Sequence, residues 1–199
     1  LAERESHGFR EKAIVSARKR IADRFKRISL PRTDRLTLTL ATTDDAPELA
    51  ALHCAVADHL TSTFGSGPWS GKTSEKGVRY AMRQSQVFIA RQDGQIIATL
   101  RLQTKKPWAI DTKYFSKCEK PLYLLAMAVL PNQQRQGIGR RCLEEAERIA
   151  RGFPAGAIRL DAYDASAGAG PFYARCGYRR VGRASYRGVP LIYYESLLG

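Results

Sequence analysis

One stretch in the second half of this 199-residue chain limits its possible folds more than any other. The apolar segment Tyr123 to Leu130 is closed by Pro131 and followed by Gln134-Arg135-Gln136-Gly137-Ile138-Gly139-Arg140. From Ile138 onward the apolar residues recur at helical spacing. The order is therefore strand, glycine turn, helix. Such a turn aims several unpaired backbone N–H groups at one spot, and the helix dipole adds to their field. The guest expected there is a phosphate or pyrophosphate. Gly137 and Gly139 lack a Cβ and permit close backbone approach, while Arg135 and Arg140 add positive charge. The loop has neither the Lys nor the hydroxyl of GxxxxGK[ST], nor the third glycine of GxGxxG. A tight strand-to-helix connection with its arginines in solvent is the plainer alternative.

The remaining elements alternate in type. Leu36 to Ala41 alternates Leu and Thr and reads as a first strand. Thr43 is a candidate cap for a helix running to about Leu60, and a second helix is expected over about Ser74 to Arg83. Between them lies a Gly/Ser-rich loop with Pro68 and Trp69. Gln86 to Ala90 and Gln95 to Gln103 read as strands joined by an Asp93-Gly94 hairpin turn. Lys105 to Pro121 reads as an irregular connection. The main helix is expected over about Ile138 to Ala150, and strand five over Ala157 to Tyr163. A short helix is expected to start near Pro171. Gly177 to Val181 and Leu191 to Leu197, with Gly188 in their turn, complete the strands. The class is α/β, a mixed sheet of about seven strands flanked by helices.

Ahead of this domain, Glu3 to Ser29 has the pattern of a long basic helix. Phe9, Ala13, Ala17, Ile21, Phe25 and Ile28 form its apolar stripe. The expected organisation is an accessory amphipathic helix over 1–30 and a main domain over 31–199. The stripe is expected to pack on that domain or on a second subunit, so a homodimer is open. Its cations, among them Lys12, Arg18, Lys19 and Arg20, could also track nucleic-acid phosphates, though no recognised nucleic-acid module accompanies them.

The formal charge is +14, with 11 Lys/Arg against 5 Asp/Glu in the first 35 residues and 22 against 14 in the remainder. Positive charge is thus spread along the chain and favours anionic partners. No run reaches the ~18 apolar residues a membrane helix needs, and no classical signal peptide is visible, so no membrane partner is expected. Cys54, Cys118, Cys142 and Cys176 are scattered without a CxxC pair, which argues against zinc; no metal is expected. Reduced cysteines and a cytoplasmic location fit this pattern best, with Cys142 as a small core residue.

The pattern Gln/Arg-x-x-Gly-x-Gly/Ala is met by Gln134, Gly137 and Gly139. It resembles the acetyl-CoA pyrophosphate loop of the GNAT N-acetyltransferase superfamily. Downstream, Ala169, Tyr173 and Gly177 match a second family feature, Asn-x-x-Ala-x-x-x-Tyr-x-x-x-Gly-Phe, with Tyr178 in place of the Phe and Ser166 in place of the Asn. The resemblance covers roughly Leu36 to Leu197. It implies a central sheet that splays between strands four and five, with acetyl-CoA in the opening.

The implied activity is acetyl transfer from acetyl-CoA to a primary amine, on a small molecule, peptide or protein, by direct attack in a ternary complex. The resemblance implies that the backbone from Gln134 through Arg135, Gln136, Gly137, Ile138 and Gly139 to Arg140 holds the pyrophosphate. Met127 and Val129 are implied backbone partners of the pantetheine arm. Tyr173 is implied as the acid that meets the leaving thiolate, with Ser166 at a cofactor contact. Phe64, Trp69 and Tyr80 are candidates to line the acceptor pocket. No carboxylate lies within Tyr123 to Leu130, so the general base is open among Glu119, Asp161, Asp164, His53 and His59. A non-catalytic CoA-binding or regulatory protein of the same fold is the alternative.

Overall fold

The computed structural model describes residues 36–199; the basic helix expected over 3–29 and its stripe lie outside the described residues. Thr39–Leu40 (β1) is shorter than the alternating pattern suggests, because only these residues pair with β2 (Gln86–Gln92), Thr39 opposite Ile89. One more bond, from Ala41 N–H to Val87 O, extends the contact. The first helix, α1 (Ala46–Phe64), begins after a short 3₁₀ turn, with Pro47 in its first turn. Asp45 accepts from the Thr42 backbone N–H at 2.6 Å, one residue earlier than the expected cap. Arg91 binds both Asp45 and Glu48, and Glu48 accepts from Ile96 N–H, so the start of α1 is tied to the next hairpin. Gly65, at φ +78°, ends α1.

Ser74 caps α2 (Glu75–Gln84), its hydroxyl accepting from Gly77 N–H at 3.2 Å. Strand β2 turns into β3 (Gln95–Gln103) through Asp93 and Gly94, both at positive φ, as a primed hairpin turn requires. Then come β4 (Pro121–Val129), α3 (Ile138–Gly152), β5 (Ala157–Tyr163) and α4 (Gly170–Arg175). Strands β6 (Arg179–Tyr186) and β7 (Val189–Leu197) close the chain. Their turn, Arg187-Gly188, is again at positive φ.

The seven strands lie in the order β1-β2-β3-β4-β5-β7-β6. Only β4 and β5 run parallel, and α3 supplies the crossover that a parallel pair needs. One face of the sheet packs on α1 and α2 through Leu49, Leu52, Val78, Val87, Ile89 and Ala128. The neighbouring Met127 points the other way, toward Gly139 of α3. Cys142, Ala146 and Ile149 form part of the buried stripe of α3; Cys142 is packed as expected, and burial lifts its thiol to about 12.

The irregular stretch before β4 covers the far half of the sheet. Ile110 and Phe115 pack on Tyr123, Leu191 and Tyr193. Beneath them Glu195 accepts from Arg159 at 3.0 Å, Arg179 at 3.2 Å and Ser116 N–H at 3.2 Å.

The parallel pair is incomplete. Pro121, Leu122 and Tyr123 pair with Ala157, Ile158 and Arg159, and no pairing continues beyond them. Strand β4 runs on to Val129 and β5 to Tyr163 as diverging ribbons. Ala126 sits in mid-strand at φ +47°, and the β3–β4 register shifts there, from Arg101 opposite Leu125 to Thr99 opposite Ala128. The extra residue is a bulge, which bends and twists its strand. The expected splay between strands four and five is therefore present.

Candidate active site

Two features meet at the mouth of the splay. The first is the loop that β4 feeds. After a 3₁₀ turn at Pro131–Gln133, Arg135 (φ +62°) and Gly137 (φ +77°) both adopt left-handed conformations. Gly137 is the N-cap of α3, and no side chain caps that helix. The backbone N–H groups from Arg135 to Arg140 make none of the turn, loop or cap hydrogen bonds found among the described residues. Arg135, Gln136, Gly137 and Arg140 are exposed. The loop is thus a set of free donors at a positive helix end, suited to an anion.

Its side chains brace it. Gln134 donates to Val129 O at 3.0 Å, which occupies that carbonyl, and Gln136 donates to Asn132 O at 3.2 Å. Arg140 lies 3.3 Å from Glu144 along the helix, and Ile138 is buried. Gly139 has a second reason to be glycine: a Cβ there would stand 3.1 Å from the Phe172 ring. Its bareness lets α4 approach α3.

The second feature is α4. Tyr173 is 7% exposed, and its ring lies among Phe172, Tyr178 and Tyr194. No partner for its hydroxyl occurs among the described residues. Burial first, and then the charge of Asp161, push its pKa well above the usual phenol value. It stays protonated at neutral pH and can donate. Ser166 is exposed in the turn before α4. In that turn a Cβ on Gly168 would meet Tyr163 O at 1.9 Å, so only glycine fits. Met127 and Val129 are half-buried on β4 beyond its last pair with β5.

On the other side of the bulge lies a cavity of about 360 Å³ between α1, α2 and the sheet. His53, Lys72, Thr73, Ser74, Arg101 and Ala126 bring its polar groups and the bulge itself; Leu49, Val78 and Val87 are part of its apolar wall. None of the three aromatic candidates lines it. Phe64 and Tyr80 are 42% and 59% exposed, and Tyr80 carries Arg83 over its ring. Trp69 donates to Gly65 O and packs edge-on against Tyr163 at the end of β5.

The candidate bases separate clearly. Glu119 and His59 are exposed, and Asp164 is paired with Arg183 at 2.7 Å. His53 lines the cavity, and burial followed by the charge of Arg101 lowers its pKa. Asp161 is half-buried, and burial raises its pKa despite a backbone bond that lowers it. Arg101 was not among the candidates. Its signal is the two-residue period in β3, which puts it on the same inward face as Thr99. Among the described residues no group of three or more His, Cys, Asp or Glu side chains could hold a metal, and no helix is long and apolar enough to cross a membrane.

The sequence profile of the acetyltransferase (GNAT) family matches residues 55–178, more than half of the chain. The chain belongs to that family. A search of curated proteins finds no match. Among solved structures, the chain is similar to a GNAT-family acetyltransferase from Streptococcus agalactiae 2603, with 13% identity, 81% and 95% of the two chains covered and a TM-score of 0.66. It is similar to the ribosomal-protein-alanine N-acetyltransferase of Brucella melitensis at 18% identity, covering 82% and 100% with a TM-score of 0.61. A Salmonella typhimurium protein solved with its cofactor acetyl-CoA matches at 14% identity, 83% and 95% coverage and a TM-score of 0.57. At these identities the structural likeness speaks to the fold.

Proposed function

We propose that this domain transfers an acetyl group from acetyl-CoA to a primary amine by direct attack in a ternary complex. The observation that carries the reading is the coincidence of the open β4–β5 edge with a loop of unpaired N–H groups at the end of the same strand. A pyrophosphate on the backbone from Gln134 to Arg140 leaves the pantetheine arm to run along the free edge of β4. Met127 and Val129 are its backbone neighbours there, and Ser166 offers one hydroxyl across the opening.

Bound acetyl-CoA supplies an acetyl group activated as a thioester, from which the amine displaces the thiolate. The amine enters from the cavity beside Ala126. His53, held neutral by burial and by Arg101, accepts the amine's proton, directly or through water. Tyr173 gives its proton to the leaving sulfur, and its raised pKa keeps that proton available. The charge of Asp161 adds to burial in keeping Tyr173 protonated until the thiolate forms. Trp69 closes the region over Tyr163, while Phe64 and Tyr80 stand further out as contacts for a larger acceptor.

Calorimetric titration with acetyl-CoA, against CoA and adenine nucleotides, tests this directly. Saturable binding that depends on the pantetheine arm is expected. Absence of binding to the folded protein sinks the reading. Gly137→Val is the matched variant. Nothing lies within 4 Å of its new Cβ, so the fold bears only the backbone strain at φ +77°, about 1–2 kcal/mol. Acetyl-CoA affinity should fall at least about tenfold as the N–H groups lose their common aim.

A further inference from the structure

Arg101 is a charge without a counterpart among the described residues. It stands on β3 opposite Leu125, beside the Ala126 bulge, and lines the cavity between α1 and α2. Its Nε is buried and has no hydrogen-bond partner, and no carboxylate pairs with it among the described residues. A half-buried guanidinium whose Nε is shielded from water is costly to leave so, and burial draws its pKa down with nothing to offset it. The cavity lining contains no Asp or Glu. Its other cation, Lys72, is already held by Asp58 at 2.5 Å. Thr73 and Ser74 add hydroxyls to the same wall. The polar part of the lining offers an anion donors and no competing carboxylate.

We propose that Arg101 receives the carboxylate of the acceptor, which makes the acceptor a small free amino acid. The inference rests on the acetyl-transfer reading above and names its substrate class. A guanidinium fork matches a carboxylate with two parallel hydrogen bonds. Arg101 is across the strand from Leu125, and the bulge where the amine must arrive is the next residue. Anion and amine therefore belong to one compact molecule. A cavity of about 360 Å³ lies at the lower end of small-molecule sites, roughly 300–1,000 Å³. A lysine side chain in a protein carries no carboxylate beside its amine, and a peptide N-terminus carries one only where its first residue is Asp or Glu.

The test is thiol release from acetyl-CoA by the full chain, with free amino acids and the amides of the same amino acids as paired acceptors. The wild type should prefer acids over amides by about tenfold to a hundredfold in kcat/KM, mostly through KM. In Arg101→Met that ratio should collapse toward one, and Arg101→Lys should restore part of it. The melting temperature of Arg101→Met should hold or rise, because a half-buried cation with no ion pair among the described residues is gone. Equal use of acids and amides, or acetylation of peptides alone, overturns the proposal while acetyl transfer stands. A clear drop in melting temperature for Arg101→Met also overturns it, because Arg101 would then be holding the fold. Absence of both acetyl-CoA binding and thiol release removes the underlying reading itself.

Discussion

At the scale of single residues, the proposed site rests on groups that find no partner among the described residues. The Tyr173 hydroxyl has no acceptor among the described residues, so Tyr173→Phe should leave the fold and acetyl-CoA affinity nearly intact. Turnover should fall about a hundredfold or more if the phenol is the acid, as single-turnover kinetics beside calorimetry would show. Asp161 allows a pH test. Burial lifts it above its ordinary value of 3.8. Below that value both folded and unfolded chains hold the proton. As pH rises through it the unfolded chain ionises first, so the fold loses stability until the raised native value is passed. Asp161→Asn removes this loss. Its melting temperature should exceed that of the wild type near neutral pH, and the gap should close at about pH 3. Gln134, Gly137 and Tyr173 were legible because they match the spacing of motifs in the family the chain resembles. His53 and Asp161 stood only among five open candidates and Arg101 among none, because burial is a property of the fold.

At the scale of elements, two turn chemistries were readable in advance. Asp93-Gly94 and the Gly188 turn both adopt the positive φ that a short hairpin demands. The strain in the β5–α4 turn was not readable, because the clash that excludes a side chain from Gly168 is with Tyr163 O, set only when the turn closes. Nor was the link under the irregular stretch. Glu195 is fully buried, yet Ser116 and Arg159 outweigh the upward push of burial and hold its pKa below the ordinary range. It ties β5, β6, β7 and residue 116 together. Glu195→Ala leaves Arg159, whose side chain is 5% exposed, without its carboxylate and holding only Ser116 O, and should cost about 3–5 kcal/mol in urea denaturation. A loss under about 1 kcal/mol would mean that the arginines find water instead.

At the scale of the molecule, Leu36–Gly199 is a compact unit in its own right. It contains the splay, the donor loop, α4 and the cavity. We therefore propose that residues 36–199 form the catalytic domain and that the segment before them is accessory. Removal of everything before Leu36 should leave acetyl-CoA binding within about threefold of the full chain, measured by calorimetry. Loss of binding in a truncated protein that still melts cooperatively would assign part of the site to the missing segment.

Local sequence determined the alternation of strands and helices and the place of the glycine loop. Each depends on periodicity or on residues a few positions apart, where backbone sterics and capping act. Tertiary structure decided where β4 and β5 part, that Ala126 bulges, that burial raises the Asp161 pKa and that Arg101 faces a cavity lined by no Asp or Glu. Those depend on burial and on charges far apart in the chain, and desolvation is fixed only when the sheet and its helices close around them.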